Sequence, residues 1–99
     1  MRGDRFSREP FGPTLARLME QRGATYRGLA AATGLSAGYL NHLVHRNRPV
    51  PTNAVIGRLA AALDVQPDHF LELRLRRVQE QLAAHPKLVD RLYKQLAPH

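Results

Sequence analysis

The chain has 99 residues, the size of one small domain. It contains no cysteine, which excludes disulfides, thiolate metal sites and a cysteine nucleophile, and no apolar run near the roughly 20 residues of a membrane span. Fifteen Lys and Arg against eight Asp and Glu give a formal charge of +7, which points to an anionic partner.

Residues 1–10 carry no periodicity and are expected to form a flexible basic arm. Its Arg2, Arg5 and Arg8 suit either entry into a DNA minor groove or a solvated tail. Phe11, Leu15, Leu18 and Met19 then share one face of an amphipathic helix, with Pro13 suited to its first turn and Gly23 to its exit. Thr25 is a good N-cap for a second helix that carries Leu29 and Ala30 and stops at Thr33-Gly34. Ser36 offers the cap of a third, from Ala37 to about His45, with Leu40 and Leu43 facing inward. Asn47 to Pro51, with two prolines, is a loop. A fourth helix after Thr52 presents Val55, Ile56, Leu59, Ala60 and Leu63 on one side. Pro67 and Asp68 look like the first turn of a fifth helix running to Ala84, about 27 Å long. Pro86 opens a sixth, with Leu88, Val89, Leu92, Tyr93 and Leu96. No strand-like alternation and no repeat is evident, so the expected class is all-α.

The informative segment is Tyr26 to His45. Two short helices joined by a tight turn need a small residue where they approach, supplied by Ala30, and a turn residue free of Cβ strain, supplied by Gly34. Leu29, Leu35, Leu40 and Leu43 are spaced to anchor the pair on a core. This is the pattern of a helix-turn-helix, whose second helix enters the major groove. On that helix Asn41 can pair both edges of an adenine, and His42 can donate to a base or a phosphate. Ala37 and Gly38 lie at the deep N-terminal end beside Ser36, and Tyr39 lies to one side. His45 is either a contact or a helix cap. From Glu20 to Asp64 no acid intervenes, while Arg22, Arg27, Arg46, Arg48 and Arg58 all fall in that interval. Thirteen of the fifteen bases are arginines, which favours forked contacts to phosphates and guanine edges.

Leu29-Ala30, Thr33 to Ser36 (TGLS), Tyr39-Leu40, Asn47 to Pro51 (NRPVP) and Ile56 to Val65 (IGRLAAALDV) recur in order and at fixed spacing. In these the chain resembles the Cro/cI-type (XRE) helix-turn-helix family over roughly Phe11 to Leu73. The resemblance implies a five-helix lambda-repressor-like DNA-binding domain over 11–73 and a regulator, expected to be a repressor, that binds double-stranded DNA. Arg46 and Arg48 would run along the backbone from the loop, with Arg27 on the other side. Three positions depart from the family pattern. Tyr26 stands where Gln is common, its hydroxyl still able to reach a phosphate; Val44 stands where Glu is common, and Arg46 near where Gly is usual.

Residues 74–99 exceed that domain. Leu71, Leu75, Val78 and Leu82 form a heptad-like seam, and the last helix has its own apolar face. The expectation is a homodimer that buries Leu75, Val78, Leu82, Leu92 and Leu96, with a local hairpin as the alternative. Arg74, Arg76 and Arg77 are expected on the solvated side of the fifth helix. A second function class is a protein-interaction module, such as an antitoxin or adaptor, using these apolar helices. An enzyme is not expected: the two serines, Ser7 and Ser36, lack a triad, and Ser36 is explained as a cap. His42 and His45 lack a third metal ligand, so neither a metal nor a cofactor is expected. The polar start and the missing span suggest the cytoplasm and no membrane partner; the Arg-, Ala- and Leu-rich composition suggests a bacterial source.

Overall fold

A computed structural model describes residues 5–97. It contains α1 (Phe11–Arg22), α2 (Tyr26–Thr33), α3 (Ala37–Val44), α4 (Asn53–Ala62), a 3-10 turn (Pro67–His69), α5 (Leu71–Ala83) and α6 (Pro86–Leu96). No strand occurs among the described residues.

The helix ends form as their residues dictate. Thr25 Oγ1 accepts from the Gly28 amide at 3.0 Å, Ser36 Oγ from the Tyr39 amide at 3.0 Å and Thr52 Oγ1 from the Val55 amide at 3.3 Å. Each such cap satisfies an amide that the helix leaves without a partner and contributes about 1 kcal/mol. Gly34 ends α2 at φ 77°, a left-handed conformation that costs glycine little.

The core gathers Phe11, Leu15 and Leu18 of α1, Leu29 of α2, Leu40 and Leu43 of α3, Ile56 and Leu59 of α4, and Leu63, Phe70 and Leu73. Most of these lie on the apolar faces read from the sequence. Phe70 does not, and it is responsible for a departure. The expected fifth helix from Pro67 is broken there, because Phe70 takes an extended conformation (φ −83°, ψ 129°) and its fully buried ring packs 4.8 Å from that of Phe11. α5 therefore begins at Leu71 and runs for 13 residues. The boundary expected after Leu73 falls inside this helix, so the C-terminal extension continues the domain's own last helix.

The expectation of a flexible arm is corrected from residue 5 onward; Arg2 lies outside the described residues. Ser7 is buried, its hydroxyl 2.6 Å from Thr14 Oγ1 and its amide donating to His69 O at 2.9 Å. Arg5 pairs with Asp68 at 3.0 Å, and the His69 ring donates from Nδ1 to Arg5 O at 2.7 Å. Glu9 pairs with Arg17. These contacts hold residues 5–9 as a strap against α1 and the 3-10 turn.

Arg74 and Arg76 likewise depart from the solvated role expected of them, whereas Arg77 is exposed. Arg74 donates to Asp68 O, His69 O and Ser7 O at 3.0, 2.9 and 2.7 Å and lies 4.4 Å over the Phe6 ring. Arg76 donates to Pro51 O at 2.7 Å and Asn53 Oδ1 at 2.8 Å. Carbonyls in turns have no helical N–H partner, and the guanidinium forks supply one.

Candidate nucleic-acid interface

α3 meets α1 more closely than Leu spacing alone requires. A Cβ on Gly12 would lie 2.8 Å from Val44 O and 2.9 Å from Leu43 O, so only glycine allows α1 to rest on the C-terminal end of α3. With Leu40 and Leu43 buried, this contact orients the helix and leaves its other face open.

On the open face Asn41 and His42 are exposed. Ser36, at the entrance, is spent on its cap. Ala37 is half-buried, and Gly38 is exposed with nothing within 4 Å of an added Cβ. Tyr39 and Tyr26 are half-buried and lean on the core, so their rings brace α3 and α2. His45 closes the helix: its Nδ1 donates to Asn41 O at 2.8 Å.

The acid-free interval divides by function. Arg58 donates to Thr33 O at the end of α2, and Arg22 Nε donates to Leu63 O at 2.9 Å. Both serve to close helix ends. The side chains of Arg27, Arg46 and Arg48 are exposed and make no hydrogen bond or ion pair among the described residues. They flank α3, Arg27 from the first turn of α2 and the other two from the loop that follows α3. Arg46 sits at φ 62°, a left-handed position uncommon outside glycine, Asn and Asp.

Three residues that shape this surface were not legible as such. Nothing local to Gly12 marks it as a glycine that touches a helix about 30 residues away. Arg76 and Glu72 act from α5: Glu72 Oε2 accepts from the Phe11 amide at 3.0 Å, anchoring the start of α1. A groove of about 260 Å³ is lined by Phe11, Gly12, Arg46, Arg48 and Glu72 among others.

The expected dimer contacts lie elsewhere. α6 folds back against α5, half-burying Leu82, Leu88 and Leu92. Leu75, Val78, Tyr93 and Leu96 remain 51, 52, 71 and 76% exposed. No helix among the described residues is long and apolar enough to cross a membrane.

A family model for a helix-turn-helix domain matches residues 10–73. Among solved structures, the restriction-modification controller protein C.AhdI from Aeromonas hydrophila is 32% identical, with a TM-score of 0.56, over 60% of this chain and 88% of that one. A chain of the SinR protein/SinI protein complex is 18% identical with a TM-score of 0.57, over 86% of this chain and 93% of that one. At that identity the likeness is one of fold, and at 86% coverage it extends beyond Leu73 into the C-terminal extension. A search of curated proteins gave no match. The architecture is the all-α, lambda-repressor-like arrangement with a C-terminal helical extension.

Proposed function

The chain belongs to the helix-turn-helix domain family, and on that premise we propose that it is a sequence-specific, double-stranded-DNA-binding transcriptional repressor acting as a homodimer in the cytoplasm. The observation that carries this reading is the sorting of arginines around α3. Arg27, Arg46 and Arg48 are free while their neighbours Arg22 and Arg58 are bonded internally, and no carboxylate lies in sequence from residue 21 to 63.

In this reading residues 11–73 form the DNA-binding unit and 74–99 the dimerising extension. α3 lies in the major groove with Ala37 and Gly38 deepest, where a small surface permits close approach. Asn41 reads a base edge, and His42 donates to a base or phosphate. Arg46, Arg48 and Arg27, with the Tyr26 hydroxyl, hold the backbone and set register without reading sequence. Ser36 and Tyr39 position the helix entrance, and His45 fixes its exit. The chemistry is binding; no catalytic step or cofactor enters it.

The test separates two kinds of contact. Arg48→Ala should weaken binding to all duplexes alike and lower the log–log salt slope by about one unit. Asn41→Ala should cost about 1–3 kcal/mol on the preferred site and relax base choice at one position. Selection from random duplexes followed by titration at several salt concentrations measures both. A salt slope of zero for the intact protein would overturn the DNA reading.

A second reading has its own observation: the exposed apolar residues of α5 and α6. The SinR/SinI neighbour was solved as a complex of two proteins, and its likeness of fold extends into the C-terminal extension. A heterologous protein partner, as for an antitoxin or adaptor, would use the same surface.

A further inference from the structure

We propose that Arg76 is the positioning residue through which dimer contact at α5 sets the DNA-backbone loop; the inference rests on the DNA-binding, dimeric reading above. Arg76 grips three acceptors in the segment that follows α3. Nη1 donates to Pro51 O at 2.7 Å and to Asn53 Oδ1 at 2.8 Å, and Nη2 reaches Val50 O at 3.4 Å. This segment cannot order itself. Pro49 and Pro51 have no amide hydrogen, so the loop forms no ladder of its own and its carbonyls need donors from outside. Asn53 is the first residue of α4, so the same fork also fixes where the chain re-enters helix.

One turn earlier on α5, Glu72 holds the Phe11 amide at the start of α1, and α1 rests through Gly12 on the end of α3. Glu72 and Arg76, four residues apart, therefore clasp both flanks of the segment that bears Arg46 and Arg48. The second Glu72 oxygen, Oε1, is buried without a hydrogen-bond partner, and Glu72 lines one groove with those two arginines. Leu75 and Val78 stand beside Arg76 in sequence but half-exposed, on the seam assigned to the partner copy. Burying that seam restrains α5. A restrained α5 restrains Arg76, and through it the loop. Linkage makes the effect reciprocal: DNA held by the loop tightens the dimer by the factor by which the dimer tightens DNA.

The experiment follows amide exchange at Arg48, Val50 and Thr52 in the full chain across the concentration range of dimer formation, with sedimentation and duplex binding measured in parallel. In the wild type, protection of these amides should rise as dimer forms. Arg76→Gln should dimerise equally well, show no such rise, and bind duplex about tenfold more weakly at equal dimer fraction, within the range typical of coupling between sites. Arg76→Lys, which keeps the charge but not the fork, should fall between. Asn53→Ala removes one acceptor and leaves Arg76 in place, so it should shift the same readouts less and serves if Arg76→Gln does not fold. Loop protection that ignores dimer formation, in a wild type that dimerises and binds DNA, would overturn the inference alone. A wild type that stays monomeric or shows no salt-dependent binding would instead overturn the reading beneath it.

Discussion

At Arg46 the backbone stands at φ 62° in a residue with a full side chain, one step beyond the cap formed by His45. A non-glycine residue there costs on the order of 1 kcal/mol. The family that the sequence resembles commonly carries glycine near this position, where this chain has a cation; in the proposed DNA-binding reading that cation meets the backbone. Arg46→Gly should therefore raise folding stability by about 0.5–1 kcal/mol, read as a higher urea midpoint at unchanged m-value. It should also lower duplex affinity and reduce the salt slope by about one unit. A lower midpoint would mean that the side chain's packing beside Gly12 outweighs the strain. Asn41 and His42 were legible as exposed candidates because the period of α3 commits Leu40 and Leu43 inward. The difference between Arg58 and Arg48 was not. Which guanidinium meets an orphan carbonyl depends on distances across 25 residues, and periodicity is silent on these.

Two glycines show how the helices themselves are set. Gly38 occupies a helical position with open space around it, so no contact within the chain calls for glycine there. Gly38→Ala should stabilise the fold by about 1 kcal/mol, the propensity difference in a helix, while weakening duplex binding if the helix entrance lies deep in the groove. Gly12 is the opposite case. Gly12→Ala forces a methyl against two carbonyl oxygens and should destabilise by about 1–3 kcal/mol, the usual cost of overpacking. Thermal melts of the two variants should move in opposite directions. Caps at Thr25, Ser36 and Thr52 were readable because a cap involves residues three apart. The break at Phe70 was not, since its cause is a ring buried against Phe11, 59 positions earlier.

At the scale of the molecule, α5 and α6 carry apolar surface that the described chain does not cover. Leu75 and Val78 are half-exposed, and Tyr93 and Leu96 more so. Exposure of this kind is unfavourable by about 25 cal/mol per Å², and large apolar patches on monomers mark interaction sites. The expected assembly is a homodimer at micromolar concentration, measured by light scattering. The informative truncation is not after Leu73, because Arg74 and Arg76 hold the N-terminal strap and the loop. A chain ending at Ala84 keeps both and loses α6. It should remain folded, become monomeric and bind a two-site duplex more weakly, with the affinity of a single half-site. A dimer that survived this deletion would move the interface to α5 alone.

By itself the sequence determined the number and order of the helices, their polar caps, most core positions, and the open face of α3 with Asn41 and His42. All of these follow from short-range rules: the period of a helix, the reach of a capping hydroxyl, the freedom of a glycine. Only the tertiary structure decided that residues 5–9 form a strap, that α5 starts after an extended Phe70, and that Arg22, Arg58, Arg74 and Arg76 serve carbonyls inside the chain. It also decided that Gly12 seats α1 on α3. The physical reason is common to them all. Each pairs a group with a partner supplied by another element, and that partner exists only once the helices have packed, so no local pattern announces it.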